Sequence, residues 1–168
     1  MSTVTTVPMG EIRMAHQAGI LRTLLGSCVG VALYHKPTRT ATLAHVLLAD
    51  SSFRSETEGE RLERTQMGRY VDTAIQEMLR EIGNDARRDG EVVAHVAGGA
   101  EMLAAGRGES VGEQNQRAAQ DFLHRLRIEV VSEDFGGSRA RRMSIDASDG
   151  RVNIETIDVI EFQRESEH

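Results

Sequence analysis

Cys28 and His45 are the side chains in this sequence best suited to covalent chemistry, because an imidazole beside a thiol can turn it into a nucleophile. Cys28 is the sole cysteine, which excludes an internal disulfide and a cysteine-rich zinc site and leaves a buried filler or a reactive thiol. With a pKa of about 8.5 a free thiol is mostly protonated at neutral pH, so it needs a neighbour that favours the thiolate. His45 is the candidate. Such a pair attacks a carbonyl carbon, and the imidazolium then protonates a leaving nitrogen, giving amide hydrolysis through a thioester. A third group normally orients the imidazole. Thr23 and Asp50 are the polar options nearby, and backbone N–H groups around Gly26, Ser27 and Cys28 are candidates for an oxyanion hole. The structural alternative is that Cys28 is an inert core residue and His45 a structural histidine.

Two apolar runs, Leu21 to Leu33 and Ala41 to Leu48, must position the pair, and they read as a β-hairpin. A register that sets Cys28 opposite His45 also sets Tyr34 opposite Arg39, leaving His35 to Thr38 as the loop with Pro37 inside it. Directly opposed residues have Cβ atoms about 4.5–5.5 Å apart, close enough for sulfur and imidazole to meet. Gly30 and Ala32 share the face of Cys28 and are expected to leave room for a substrate. Val29, Val31, Leu33, Ala44, Val46 and Leu48 form the opposite, apolar face. Gly26 and Ser27 suggest a bend or bulge in the first strand. A slip of one residue would put the two groups on opposite faces.

Asp50 to Glu60 is polar and reads as a surface loop where a lid or entrance could sit. Val71, Ala74, Ile75, Met78, Leu79 and Ile82 form one face of an amphipathic helix that ends at Gly83. Glu91 to Val96 reads as a strand leading into Gly98 and Gly99, Gln114 to Arg127 as a second helix, and Ile128 to Ser132 as a strand. Met143 to Ala147 and Val152 to Ile157 flank a Ser148-Asp149-Gly150 turn and read as another hairpin. Two helices and six or more strands in this order predict an α/β fold, a mixed sheet with helices packed outside.

The 168 residues fit one domain, with a core over about 10–157 and short flexible termini, and 39% hydrophobic content supports such a core. No run approaches the roughly 18 apolar residues of a membrane span, and Met1 to Gly10 lack a secretory signal, so a cytoplasmic protein is expected. Twenty basic against 26 acidic residues give a net charge of −6, and there is no Trp, so nucleic acid is not an expected partner. His16, His35, His95, His124 and His168 lack metal-ligand spacing, and no metal site is expected. The Asp134-Phe135-Gly136 string has neither a kinase glycine-rich loop nor a catalytic loop beside it.

Leu25-Gly26-Ser27-Cys28-Val29 followed by Ala44-His45-Val46-Leu47-Leu48 resembles the signature of the chemoreceptor glutamine deamidases, the CheD family. Gly98-Gly99-Ala100, Val111-Gly112-Glu113-Gln114-Asn115 and Asp134-Phe135-Gly136-Gly137 with Arg141 follow that family's motifs in order, so the resemblance spans roughly Gly10 to Ile157. It implies a cytoplasmic amidohydrolase, without a cofactor, that converts selected glutamines on methyl-accepting chemotaxis receptors to glutamate and ammonia. It also implies an α/β sandwich with outer helices, similar to bacterial toxin deamidases, and a catalytic set of Cys28, His45 and Thr23. For some members a CheC-type phosphatase is a further partner. A non-catalytic adaptor that docks on receptors or on such a phosphatase is the rival reading. Ala49, Ala97, Gln114 and Ala140 depart from the family pattern, and none of them touches Cys28 or His45 in sequence.

Overall fold

The computed structural model describes residues 2–49, 51, 67–83, 90–102 and 108–167. Among them are nine strands and three helices: β1 Val4–Thr6, β2 Ile12–His16, β3 Ile20–Leu25, β4 Val29–His35, β5 Thr40–Val46, α1 Val71–Ile82, β6 Val92–Gly98, α2 Val111–Arg125, β7 Glu129–Phe135, β8 Ala140–Asp146, β9 Val152–Ile157 and α3 Val159–Ser166. The class is α/β, as expected. The strands form two sheets, a four-stranded one ordered β1-β3-β8-β9 and a five-stranded one ordered β2-β5-β4-β6-β7. Both are mixed, because β1 runs parallel to β3 and β6 parallel to β7 while the other pairs are antiparallel.

Burial explains the layering. Every residue of β4, β5 and β6 is buried, as in a central sheet covered on both faces. Val29, Val31, Leu33, Ala44 and Val46 pack against Ala74, Ile75 and Met78 of α1 and Ala119 and Leu123 of α2. Ala32, Tyr34, Leu43 and Val93 on the other face pack against Leu21, Leu25, Met143 and Ile145 of the second sheet. The α1 boundaries match the sequence reading, and the N–H of Gly83, at φ +124°, closes the helix on the Leu79 carbonyl. α2 begins earlier than expected because Ser110 is its N-cap, its hydroxyl accepting from the Glu113 N–H.

Several expectations are corrected. Leu21 to Leu33 is not one bent strand: β3 and β4 belong to different sheets, and Gly26-Ser27-Cys28 is the corner between them. The β4–β5 register sets Gly30, not Cys28, opposite His45, and the loop is Lys36 to Arg39. Arg39, at φ +51°, takes the left-handed turn position. The offset is two residues, so side chains keep their faces and Cys28 lies diagonal to His45 rather than across from it. Leu48 leaves the sheet and makes an isolated parallel bridge to Tyr70. The sequence reading did not contain β1, β2 or α3. The segment proposed as a lid or entrance, apart from Ser51, lies outside the described residues, as does Asp50.

Candidate active site

His45 lies on the inward face of β5, and Thr23 on the inward face of β3 reaches it across the sandwich, Thr23 Oγ1 lying 2.7 Å from His45 Nδ1. The same hydroxyl donates to the Val7 carbonyl at 2.8 Å. A hydroxyl has one proton and a carbonyl can only accept, so with that proton committed to Val7 the Nδ1 must carry its own and donate to Thr23. Nε2 is thereby left with its lone pair, and it has no hydrogen-bond partner among the described residues. Burial pushes the imidazole down from 6.5 to about 4, so it stays neutral at physiological pH. Thr23, itself buried, thus fixes the tautomer in which Nε2 is the free base.

Cys28 is half-buried at the corner and lines the same cleft as His45 and Thr23. Burial raises its pKa to about 11, with its own backbone N–H opposing the rise. The resting pair is therefore thiol and neutral imidazole. His45 Nε2 is itself buried and makes no hydrogen bond to the thiol, so the two groups line one cleft without being in hydrogen-bond contact.

Backbone contacts hold the corner. The Gly99 N–H donates to the Cys28 carbonyl at 2.9 Å and the Ala100 N–H to the Gly26 carbonyl at 3.0 Å. Gly98 sits at φ +109°, where a Cβ would meet the Cys28 carbonyl oxygen at 2.2 Å. Arg141, buried, donates to the Gly98 carbonyl at 3.3 Å and pairs with Asp134 at 3.2 Å. The Gly98-Gly99 pair is thus the brace behind Cys28. The room expected beside Gly30 is absent, because a Cβ there would meet Met143 Sδ at 2.7 Å and Leu25 Cδ1 at 2.8 Å.

The open space is instead a cleft of about 1270 Å³ at the end of the sandwich, bordered by Val7, Met9, Met102 and, from α3, Phe162. Ser27 is exposed and lines it, and Gly26 is buried, where an added Cβ would meet Met102 Sδ at 2.9 Å and Phe162 Cζ at 3.6 Å. Sequence reasoning missed Val7 and α3. The Asp158-to-Glu161 spacing was a legible helix-start signal, since Asp158 accepts from the Glu161 N–H at 2.7 Å. It also left Asn115 without a role. One turn before Ala119, a polar residue on the buried stripe of α2 was the signal available.

The model of the family described as CheD chemotactic sensory transduction matches residues 47–156. The chain belongs to the CheD family. Its match to the family model begins just after His45, whereas curated relatives align over most of the chain. A protein of Methanococcus vannielii named a probable chemoreceptor glutamine deamidase CheD is 37% identical over 153 residues, 90% of this chain and 94% of its own. A protein of the same name from Moorella thermoacetica is 38% identical over 157 residues, 90% of this chain and 89% of its own. Another, from Caldanaerobacter subterraneus, is 33% identical over 160 residues, covering 93% and 94% of the two chains. Among the described residues no helix is long and apolar enough to cross a membrane.

Proposed function

We propose that this chain is a protein-glutamine deamidase that hydrolyses glutamine side-chain amides on methyl-accepting chemotaxis receptors, with Cys28 as nucleophile. The observation that carries the proposal is the Thr23–His45 hydrogen bond, which leaves a buried Nε2 without a partner among the described residues, on a residue that lines the same cleft as the sole thiol. The names of the relatives supply the substrate class. In the first half-reaction the Cys28 proton passes to Nε2 and sulfur bonds to the amide carbon. Backbone N–H groups around Ser27 and Cys28 are the nearest donors for the oxyanion. The imidazolium returns its proton to the amide nitrogen, the C–N bond breaks, and ammonia leaves a thioester. Water, deprotonated by His45, then cleaves the thioester to glutamate and the free thiol. Atoms and protons balance without a cofactor.

A cleft of about 1270 Å³ exceeds the roughly 300–1,000 Å³ of small-molecule pockets, which suits a glutamine presented on a protein surface. On this reading the enzyme works in the cytoplasm, where the family's receptor targets lie. The test is to co-express the chain with receptor fragments and to follow ammonia release and the roughly one-dalton gain of amide-to-acid conversion by mass spectrometry. Cys28→Ala, folded, is expected to lower the rate by at least about a thousandfold. Full activity in that variant removes the nucleophile, and receptor binding without hydrolysis by the unmodified chain supports the adaptor reading instead.

A further inference from the structure

Asn115 lies on the buried stripe of α2 with Gly112, Ala119 and Leu123, where an apolar residue would pack more cheaply. Its amide nitrogen donates to the Leu47 carbonyl at 2.9 Å and to the Ser27 carbonyl at 3.3 Å. Both acceptors are carbonyl oxygens, so the orientation of the amide is forced: only its NH2 end can face them. Its oxygen is buried with no hydrogen-bond partner among the described residues, a loss a structural filler would not need to carry. Ser27 immediately precedes Cys28, and Leu47 lies two residues beyond His45. One buried side chain therefore ties the segment bearing the thiol to the segment bearing the imidazole. The β4–β5 ladder holds His45 opposite Gly30 but ends at Val29 and Val46, so pairing alone does not fix Ser27 and Cys28 against Leu47.

We infer that Asn115 is a positioning residue for the Cys28–His45 pair, a clamp between the two chain segments just beyond the end of their shared ladder. The inference rests on the deamidase reading only in taking Cys28 and His45 to act together. It makes no contact with substrate necessary and assigns Asn115 no proton transfer.

The experiment measures the alkylation rate of Cys28 by iodoacetamide against pH in the full-length chain, which needs no receptor. The variants are Asn115→Ala, His45→Ala and the double variant, with circular dichroism and thermal unfolding confirming the fold. The expected result is a fall of about tenfold at pH 7.5 for His45→Ala and a similar fall for Asn115→Ala, with the double variant no slower than either alone. Such non-additivity marks two residues acting through one arrangement. Asn115→Ser, which retains one short donor, is expected to lie between Asn115 and Asn115→Ala, and it serves alone, in both His45 backgrounds, if the alanine variant does not fold. Additive falls, or an Asn115 variant that reacts like the unmodified chain while His45→Ala is slowed, overturn the clamp and leave the deamidase reading standing. A Cys28 reactivity that ignores His45 overturns the pairing itself, and the clamp with it.

Discussion

The two walls of the cleft are built differently. Behind Cys28 the wall is backbone: glycine carbonyls and N–H groups interlock, Gly98 and Gly99 have positive φ, and Arg141 braces the turn. The facing wall at α3 has no buried residue, exposes Val159 and Ile160, and is tied to the sheet through Arg142, which pairs with Glu155 and Glu161 at 3.0 Å and also with Glu165. The proposed nucleophile is thus set on a wall that tolerates almost no change, while access is bounded by one held through solvent-facing ion pairs. Geometry needed for chemistry requires many mutually supporting contacts, whereas an entrance needs few.

The largest effect should come from damage to the backbone wall. Gly98→Ala forces a Cβ against the Cys28 carbonyl in a left-handed backbone conformation, and a loss of about 2–5 kcal/mol is expected in denaturant unfolding. Thiol reactivity should fall with it. If stability is unchanged, the glycine brace is not what holds the corner.

A smaller loss is expected from acid. His45 is held near 4 when folded and near 6.5 when unfolded, so the unfolded chain binds the extra proton between those values. Its contribution is present above pH 6.5 and disappears as pH falls toward 4, roughly 2–3 kcal/mol between pH 7.5 and 4.5 at about 1.4 kcal/mol per unit. Comparing urea unfolding of the unmodified chain with His45→Gln at both pH values isolates this share. Cys28 acts in the opposite window: its contribution is lost as pH rises from about 9 to about 11.

The smallest effect should come from the α3 wall. Arg142→Ala removes surface ion pairs worth about 0–1 kcal/mol, so the unfolding midpoint should scarcely move. Alkylation of Cys28 by a bulky maleimide should nonetheless rise several-fold, and an unchanged rate would show that α3 does not limit access.

Legibility followed the same division. α1 could be read to the residue because its apolar stripe and Gly83 are local signals. The facing of Val29, Val31 and Leu33 against the helices was legible too, since alternation survives a two-residue error in register. The error arose at the hairpin loop, where Arg39 adopts a positive φ that its residue type does not announce. The break between β3 and β4 was read as a bulge because a bend and a change of sheet have the same local signature, a glycine and a serine in an apolar run.

The sequence by itself determined which side chains have the chemistry to react and that Val29, Val31 and Leu33 share an apolar face, because residue type and period-two alternation are properties of the chain alone. It could not determine that Val7 takes the Thr23 proton, that Asn115 spans Ser27 and Leu47, or that burial holds the thiol and imidazole neutral. Those depend on segments distant along the chain meeting away from water, where each hydrogen bond and each charge takes its energy from neighbours that only folding supplies.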